Sequence, residues 1–159
     1  MSFENRFVVD LFVKLSPFID RAADNHVLTD QPQHEESIPD LCIKLHGVRD
    51  ALRIEVKWIK QPRATNVTLT KKQIRSWQSP PAANNRTPHL WVARRAKEGH
   101  YFLVRHSDMK GILKSAFQQI GPKVIDEDRY WNIALPGQGL TEPEFWREFW
   151  TFVATQPSE

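Results

Sequence analysis

Residues 38–60 read IPDLCIKLHGVRDALRIEVKWIK, two alternating apolar runs separated by the turn-like stretch GVRD at 47–50. This pattern predicts a β-hairpin with strands near 39–46 and 52–60. Pairing His46 with Ala51 sets Leu45 against Leu52, Ile43 against Ile54 and Leu41 against Val56, so six apolar side chains share one face. The other face carries Asp40, Cys42 and Lys44 against Arg53, Glu55 and Lys57. In that register Asp40 lies opposite Lys57 and diagonal to Glu55, within reach of a shared ligand. Two carboxylates that close repel unless a cation stands between them. Lys57 supplies part of that charge. A divalent metal supplies more, and oxygen ligands suit Mg²⁺ or Mn²⁺. The same residues also fit a solvent-facing sheet surface with ordinary cross-strand ion pairs.

Working outward, residues 3–19 place Val8, Leu11, Phe12 and Leu15 at helical spacing. Ser2 is a plausible N-cap, and Pro17 should disturb the far end. Residues 22–38 and 61–69 read as loops. A second helix is expected near 70–78, then an irregular Pro- and Asn-rich stretch at 78–88. Strands at 89–96 and 100–107 flank a turn at 97–99. A third helix covers 108–120 with Asp108 as its cap, and a strand covers 129–135. The last helix spans 141–156, where Thr141 and Glu144 have capping-box spacing. The element order αββαββαβα predicts an α/β fold, a mixed sheet flanked by helices.

With 159 residues the chain suits one domain with a real core. A single cysteine, Cys42, excludes an internal disulfide and a zinc framework. No run approaches the ~20 apolar residues of a membrane span, and no secretory signal is evident, so a cytoplasmic protein without a membrane partner is expected. Charge is unevenly spread. Between Val56 and Lys97 there is no Asp or Glu, and that stretch carries +10 against −4 before it and −3 after it. A basic block in an otherwise acidic chain points to a polyanion partner. A solvated basic face is the alternative. The aromatic run Phe145, Trp146, Phe149, Trp150 and Phe152 is wider than one helical face, and its excess suggests a homodimer contact. Trp77, Trp91 and His89 are candidates for stacking on bases, with core packing the more ordinary role for the tryptophans. Glu35, Glu36 and His34 are further candidate ligands or simply loop charges.

Pro39-Asp40, followed after fourteen residues by Glu55-Val56-Lys57, resembles the signature of the PD-(D/E)XK nuclease superfamily. The resemblance covers about residues 4–106, leaves 107–159 as a C-terminal extension, and singles out no family within the superfamily. It implies a restriction-endonuclease-like core and a metal-dependent phosphodiesterase, a DNA endonuclease rather than an exonuclease, with DNA favoured over RNA. It implies that Asp40 and Glu55 hold the metal with the Val56 carbonyl, and that Lys57 orients water or stabilises charge on the phosphate. It extends the catalytic set to Gln73, on the helix after that strand, and to Glu4, on the first helix. Read without the resemblance, Thr70 and Gln73 form a capping box. Glu4 shares the stripe of Val8, Leu11 and Leu15, where a carboxylate needs a partner. Lys60, Arg63, Lys71, Lys72, Arg75, Arg94 and Arg95 would contact the nucleic-acid backbone. The reading from another class is a non-cleaving nucleic-acid-binding or protein-interaction module on the same fold.

Overall fold

The computed structural model describes residues 2–27, 39–61, 63–81, 86–96, 99–120 and 130–159. In chain order the elements are α1 (Phe3–Leu15), a 3₁₀ turn (Ser16–Phe18), β1 (His26–Val27), β2 (Leu41–Ile43), β3 (Leu52–Ile59), β4 (Asn66–Thr70), α2 (Lys71–Trp77), β5 (Leu90–Arg95), β6 (Tyr101–Arg105), α3 (His106–Ile120), β7 (Tyr130–Ala134) and α4 (Glu142–Ala154). Five strands form one sheet in the order β1-β2-β3-β5-β6. Only β3 and β5 run parallel in it; the other neighbours are antiparallel. β4 and β7 form a separate antiparallel ribbon. The fold is therefore mixed α/β, as expected, with two strands more than the sequence suggests. β1 is a two-residue edge, and the expected loop at 61–69 ends in β4.

Strand alternation gives the sheet two buried faces. Leu41, Ile43, Leu52, Ile54, Val56, Leu90, Val92 and Tyr101 pack with Phe7, Val8, Leu11 and Leu15 of α1 and with Phe145, Phe149 and Phe152 of α4. Ile59, Trp91, Ala93, Phe102 and Val104 point the other way, against α2, α3 and the ribbon. A central strand buried on both sides is what a parallel pair in a three-layer arrangement requires. On the second side Trp77 meets Trp91 edge to face at 5.3 Å, and the Trp91 indole N–H donates to Nδ1 of buried His106. Both tryptophans are core residues, not base-stacking surfaces. On α4, the run from Phe145 to Phe152 splits into three buried phenylalanines and two half-buried tryptophans, Trp146 and Trp150, packed on the same core.

Helix ends follow local chemistry. The Ser2 hydroxyl accepts from Asn5 N, and both Thr70–Gln73 and Thr141–Glu144 form reciprocal capping boxes. α3 begins at His106, so Asp108 lies in its first turn and is not the cap. There its charge still favours the helix dipole.

The hairpin register differs from the expected one by two residues. Leu41 pairs with Ile54, Cys42 with Arg53 and Ile43 with Leu52. The reason is that the chain beyond Ile43 is drawn to other partners. Lys44 N donates to Asn25 Oδ1, Leu45 bridges Ile19, His46 N donates to Phe18 O, and Val48 bridges Ser158. The tight turn at 47–50 therefore opens into a longer loop, with Gly47 in the left-handed region at φ 80°. A two-residue slip preserves side-chain parity. The apolar face is unchanged, but Asp40 now stands across from Glu55 and not from Lys57.

Candidate functional site

The site lies where β2 ends and β3 runs on. Pro39 has no N–H to give to a ladder, and β2 begins only at Leu41. Arg53 and Ile59 direct their carbonyls toward the β5 side, accepting from His89 N and Ala96 N. Alternate residues face the opposite edge, so Val56 and Trp58 present their N–H groups to the side that β2 has left. Two carboxylates fill the gap. Asp40 Oδ2 accepts from Val56 N at 2.9 Å, and Glu4 Oε2 from Trp58 N at 3.2 Å. A strand residue's N–H and C=O point to the same edge, so the Val56 carbonyl also faces this gap.

Glu55 and Lys57 lie on the second face of the sheet. Glu55 is 2% exposed and Asp40 is 9% exposed. Burial, reinforced by the Asp40 charge, pushes the Glu55 carboxyl well above its ordinary range, while Lys57 pulls it back. The two carboxyls share a hydrogen bond. Glu4 is raised for the same leading reason, burial, and it too feels Lys57 in one direction and Asp40 in the other. Glu4, Asp40, Glu55 and Lys57 therefore form one electrostatic cluster drawn from α1, the start of β2, and β3.

Whether this cluster suits a cation turns on its unsatisfied atoms. Among the described residues, no group of three or more His, Cys, Asp or Glu side chains is placed to share a metal ion. Glu55 Oε2 is buried with no hydrogen-bond partner, a position that costs about 1–3 kcal/mol unless a proton or cation takes it. Two carboxylates and a main-chain carbonyl are hard oxygen donors, the set that Mg²⁺ or Mn²⁺ accepts, with water completing the shell. The donor chemistry fits a divalent cation.

The other expected residues fare unevenly. The Gln73 side-chain oxygen is committed to the cap, accepting from Thr70 N at 3.0 Å. Lys60, Arg63, Lys72 and Arg75 are exposed, and Arg75 lies over the Phe117 ring. Lys71 is 1% exposed and Arg95 is 8% exposed. Both are corrections to the expected backbone contacts, because a buried cation cannot meet a duplex. Arg95 instead donates to Ala64 O and covers the Phe102 ring. Arg94 is half-buried on the face opposite Glu55 and Lys57, between the rings of Trp58 and Tyr101, and so also leaves the expected track. His89 accepts at Nδ1 from Arg53 N, and burial lowers its pKa to about 4. It is a neutral structural group. His34, Glu35 and Glu36 lie outside the described residues.

Sequence reasoning missed that Asp40 and Glu4 double as hydrogen-bond acceptors for the part of the β3 edge that β2 does not pair with. The signal was available in Pro39, which bars β2 from continuing along that edge. No protein-family model matches the chain, and no curated protein sequence is similar to it. Among the described residues, no helix is long and apolar enough to cross a membrane.

Proposed function

We propose that the protein is a metal-dependent phosphodiesterase on a restriction-endonuclease-like core, acting on DNA as an endonuclease. The observation that carries this reading is the convergence of Asp40 and Glu55, with an unpartnered buried oxygen on Glu55 and Lys57 two residues further along the strand. Asp40, Glu55 and the Val56 carbonyl would hold Mg²⁺ or Mn²⁺. When bound, such an ion supplies Lewis acidity at the scissile phosphate and a lowered pKa for water. Asp40 keeps its position through Val56 N, so its geometry is tied to the strand that carries Glu55. Lys57 offers an ammonium on the Glu55 side of β3, suited to the charge that builds on the phosphoryl oxygens. Glu4 fixes the edge one step further along, at Trp58. A reducing, cytoplasmic setting agrees with the half-buried free thiol of Cys42.

A second reading, a non-cleaving nucleic-acid-binding module, draws on the depth of Glu55. Incubating labelled duplex, branched and single-stranded DNA, and RNA, with Mg²⁺ or Mn²⁺ separates the two. The nuclease reading expects metal-dependent products on at least one DNA substrate. Binding with no cleavage on any of them supports the module.

Lys57→Met should lower the single-turnover rate by about 10²–10³-fold, the scale of removing one transition-state donor. Affinity should stay near wild type, since a group acting only in the transition state adds little to ground-state binding. A variant that binds poorly but cuts normally once bound would reduce Lys57 to a phosphate contact.

Lys72 is the exposed member of the Lys71–Lys72 pair. Lys72→Ala should make the log–log salt dependence of duplex binding shallower by about one. Affinity measured across a salt series in Ca²⁺, to suppress cleavage, checks this. An unchanged slope would remove Lys72 from the substrate track.

A further inference from the structure

Where Glu4 meets the edge of β3, on the sheet face opposite Glu55 and Lys57, lies an aromatic platform that the proposed chemistry does not use. Phe3 immediately precedes Glu4, yet as a residue it is 61% exposed on the first turn of α1. It stacks on Trp58 at 5.4 Å with the planes 12° apart. Trp58 in turn follows Lys57, and its backbone N–H is the group held by Glu4. Arg6 lies over the Phe3 ring at 5.7 Å and Arg94 over the Trp58 ring at 5.8 Å. Two stacked rings thus lie within reach of two guanidinium groups. At the same end of β3, a cleft of about 350 Å³ is lined by Trp58, Lys60, Asn66, Thr68 and Asn132 among others. Lys60 and Arg6 are exposed.

An exposed phenylalanine stacked on a half-buried tryptophan gains little from the core. It leaves much of an aromatic ring in water with cations at hand. That combination suits a planar π-system attached to a negative backbone. Inside a duplex the faces of the bases are already stacked and cannot reach such a ring. We infer that the exposed Phe3 ring, backed by Trp58, stacks an unpaired nucleobase at the Glu4 end of the carboxylate cluster, so that the substrate is single-stranded nucleic acid or a strand end splayed from a duplex. Arg6 and Lys60 would meet its phosphates. This rests on the nuclease reading only for the word substrate; the binding site itself does not require cleavage.

The test uses the full chain with a fluorescent oligothymidylate, a strand of the same length with abasic positions, and a blunt duplex, all in Ca²⁺. Wild type should bind the oligothymidylate more tightly than the abasic strand. Phe3→Ala should lower oligothymidylate affinity by roughly 5- to 100-fold, the scale of losing one base–aromatic stack. It should leave abasic-strand and duplex affinities near wild type. Phe3→Tyr should restore binding and Phe3→Leu should not. Because Phe3 is exposed, thermal melting of these variants should match wild type. Equal loss on all three nucleic acids, no loss on any, or rescue by leucine would overturn the inference. Cleavage measured separately in Mn²⁺ keeps the two readings apart. Phe3-dependent stacking without cutting would sink only the nuclease, and cutting indifferent to Phe3 would sink only the platform.

Discussion

Asp40→Asn should bring DNA cleavage down to the metal-free background while leaving a folded protein. Asparagine, not alanine, separates chemistry from folding at this position. Asp40 Oδ2 accepts from Val56 N, in a buried position beside the stretch of β3 that β2 does not pair with. Alanine would strip that N–H of its acceptor, at a cost of about 1–3 kcal/mol. A dead alanine variant would therefore confuse lost chemistry with a loosened strand. Asparagine keeps an oxygen for Val56 but withdraws the negative charge that a divalent ion needs. Circular dichroism and melting should stay close to wild type, and single-turnover cleavage in Mn²⁺ should vanish. A variant that cuts at the wild-type rate would remove Asp40 from the metal set.

Glu55→Gln should have two opposite effects on stability, depending on whether metal is present. Without metal, Glu55 ionises near 4.5 in the unfolded chain but holds its proton to higher pH in the fold, because burial disfavours the charge. The folded state thus binds the extra proton. Its contribution is fully present below that ordinary value and is lost as pH rises through the raised one, at up to about 1.4 kcal/mol per pH unit for one proton. Asp40 and Glu4 face Glu55 and add to the rise; Lys57 faces it and opposes. Glutamine carries no ionising group, so in EDTA the variant should melt higher than wild type at pH 8, with a flatter pH profile. Glu4, raised in the same direction, should leave a smaller slope of the same sign. With Mn²⁺ at about 100 times its dissociation constant, wild type should gain about 2.7 kcal/mol, or about 5–10 °C for a chain of this size. The variant should gain little. That gain should shrink as pH falls, since the ion must displace the Glu55 proton. An identical Mn²⁺ response in both proteins would show that the ion binds elsewhere.

Much of this site was legible in the hairpin. Alternation alone assigns Leu41, Ile43, Ile54 and Val56 to one face and Glu55 and Lys57 to the other, and a two-residue register error leaves that intact. Which residue stands across from Asp40 was not legible. It is decided by Asn25, Ile19 and Ser158, partners remote in sequence that pull on the chain after Ile43. β4 was missed for a similar reason: Asn66–Thr70 pairs with Tyr130–Ala134, far downstream. The basic block shows the limit of counting charges. Arg94 and Arg95 are neighbours on a strand and must point to opposite faces, so both could never line one track. The burial of Lys71 depends on how α2 docks, which the residues around it do not announce. The capping boxes were readable because three-residue reciprocity is wholly local.

The central claim is that Asp40 and Glu55 together hold a cation that cuts phosphodiester bonds. Its most direct test is single-turnover incubation of a 5′-labelled DNA strand, alone and within duplex and branched forms, with saturating wild type or Glu55→Gln, each in Mn²⁺ and in EDTA. Wild type in Mn²⁺ should give shortened labelled products from at least one form, and the other three conditions should leave every form intact. Every form intact in all four conditions, or equal cleavage by Glu55→Gln in Mn²⁺, would contradict it.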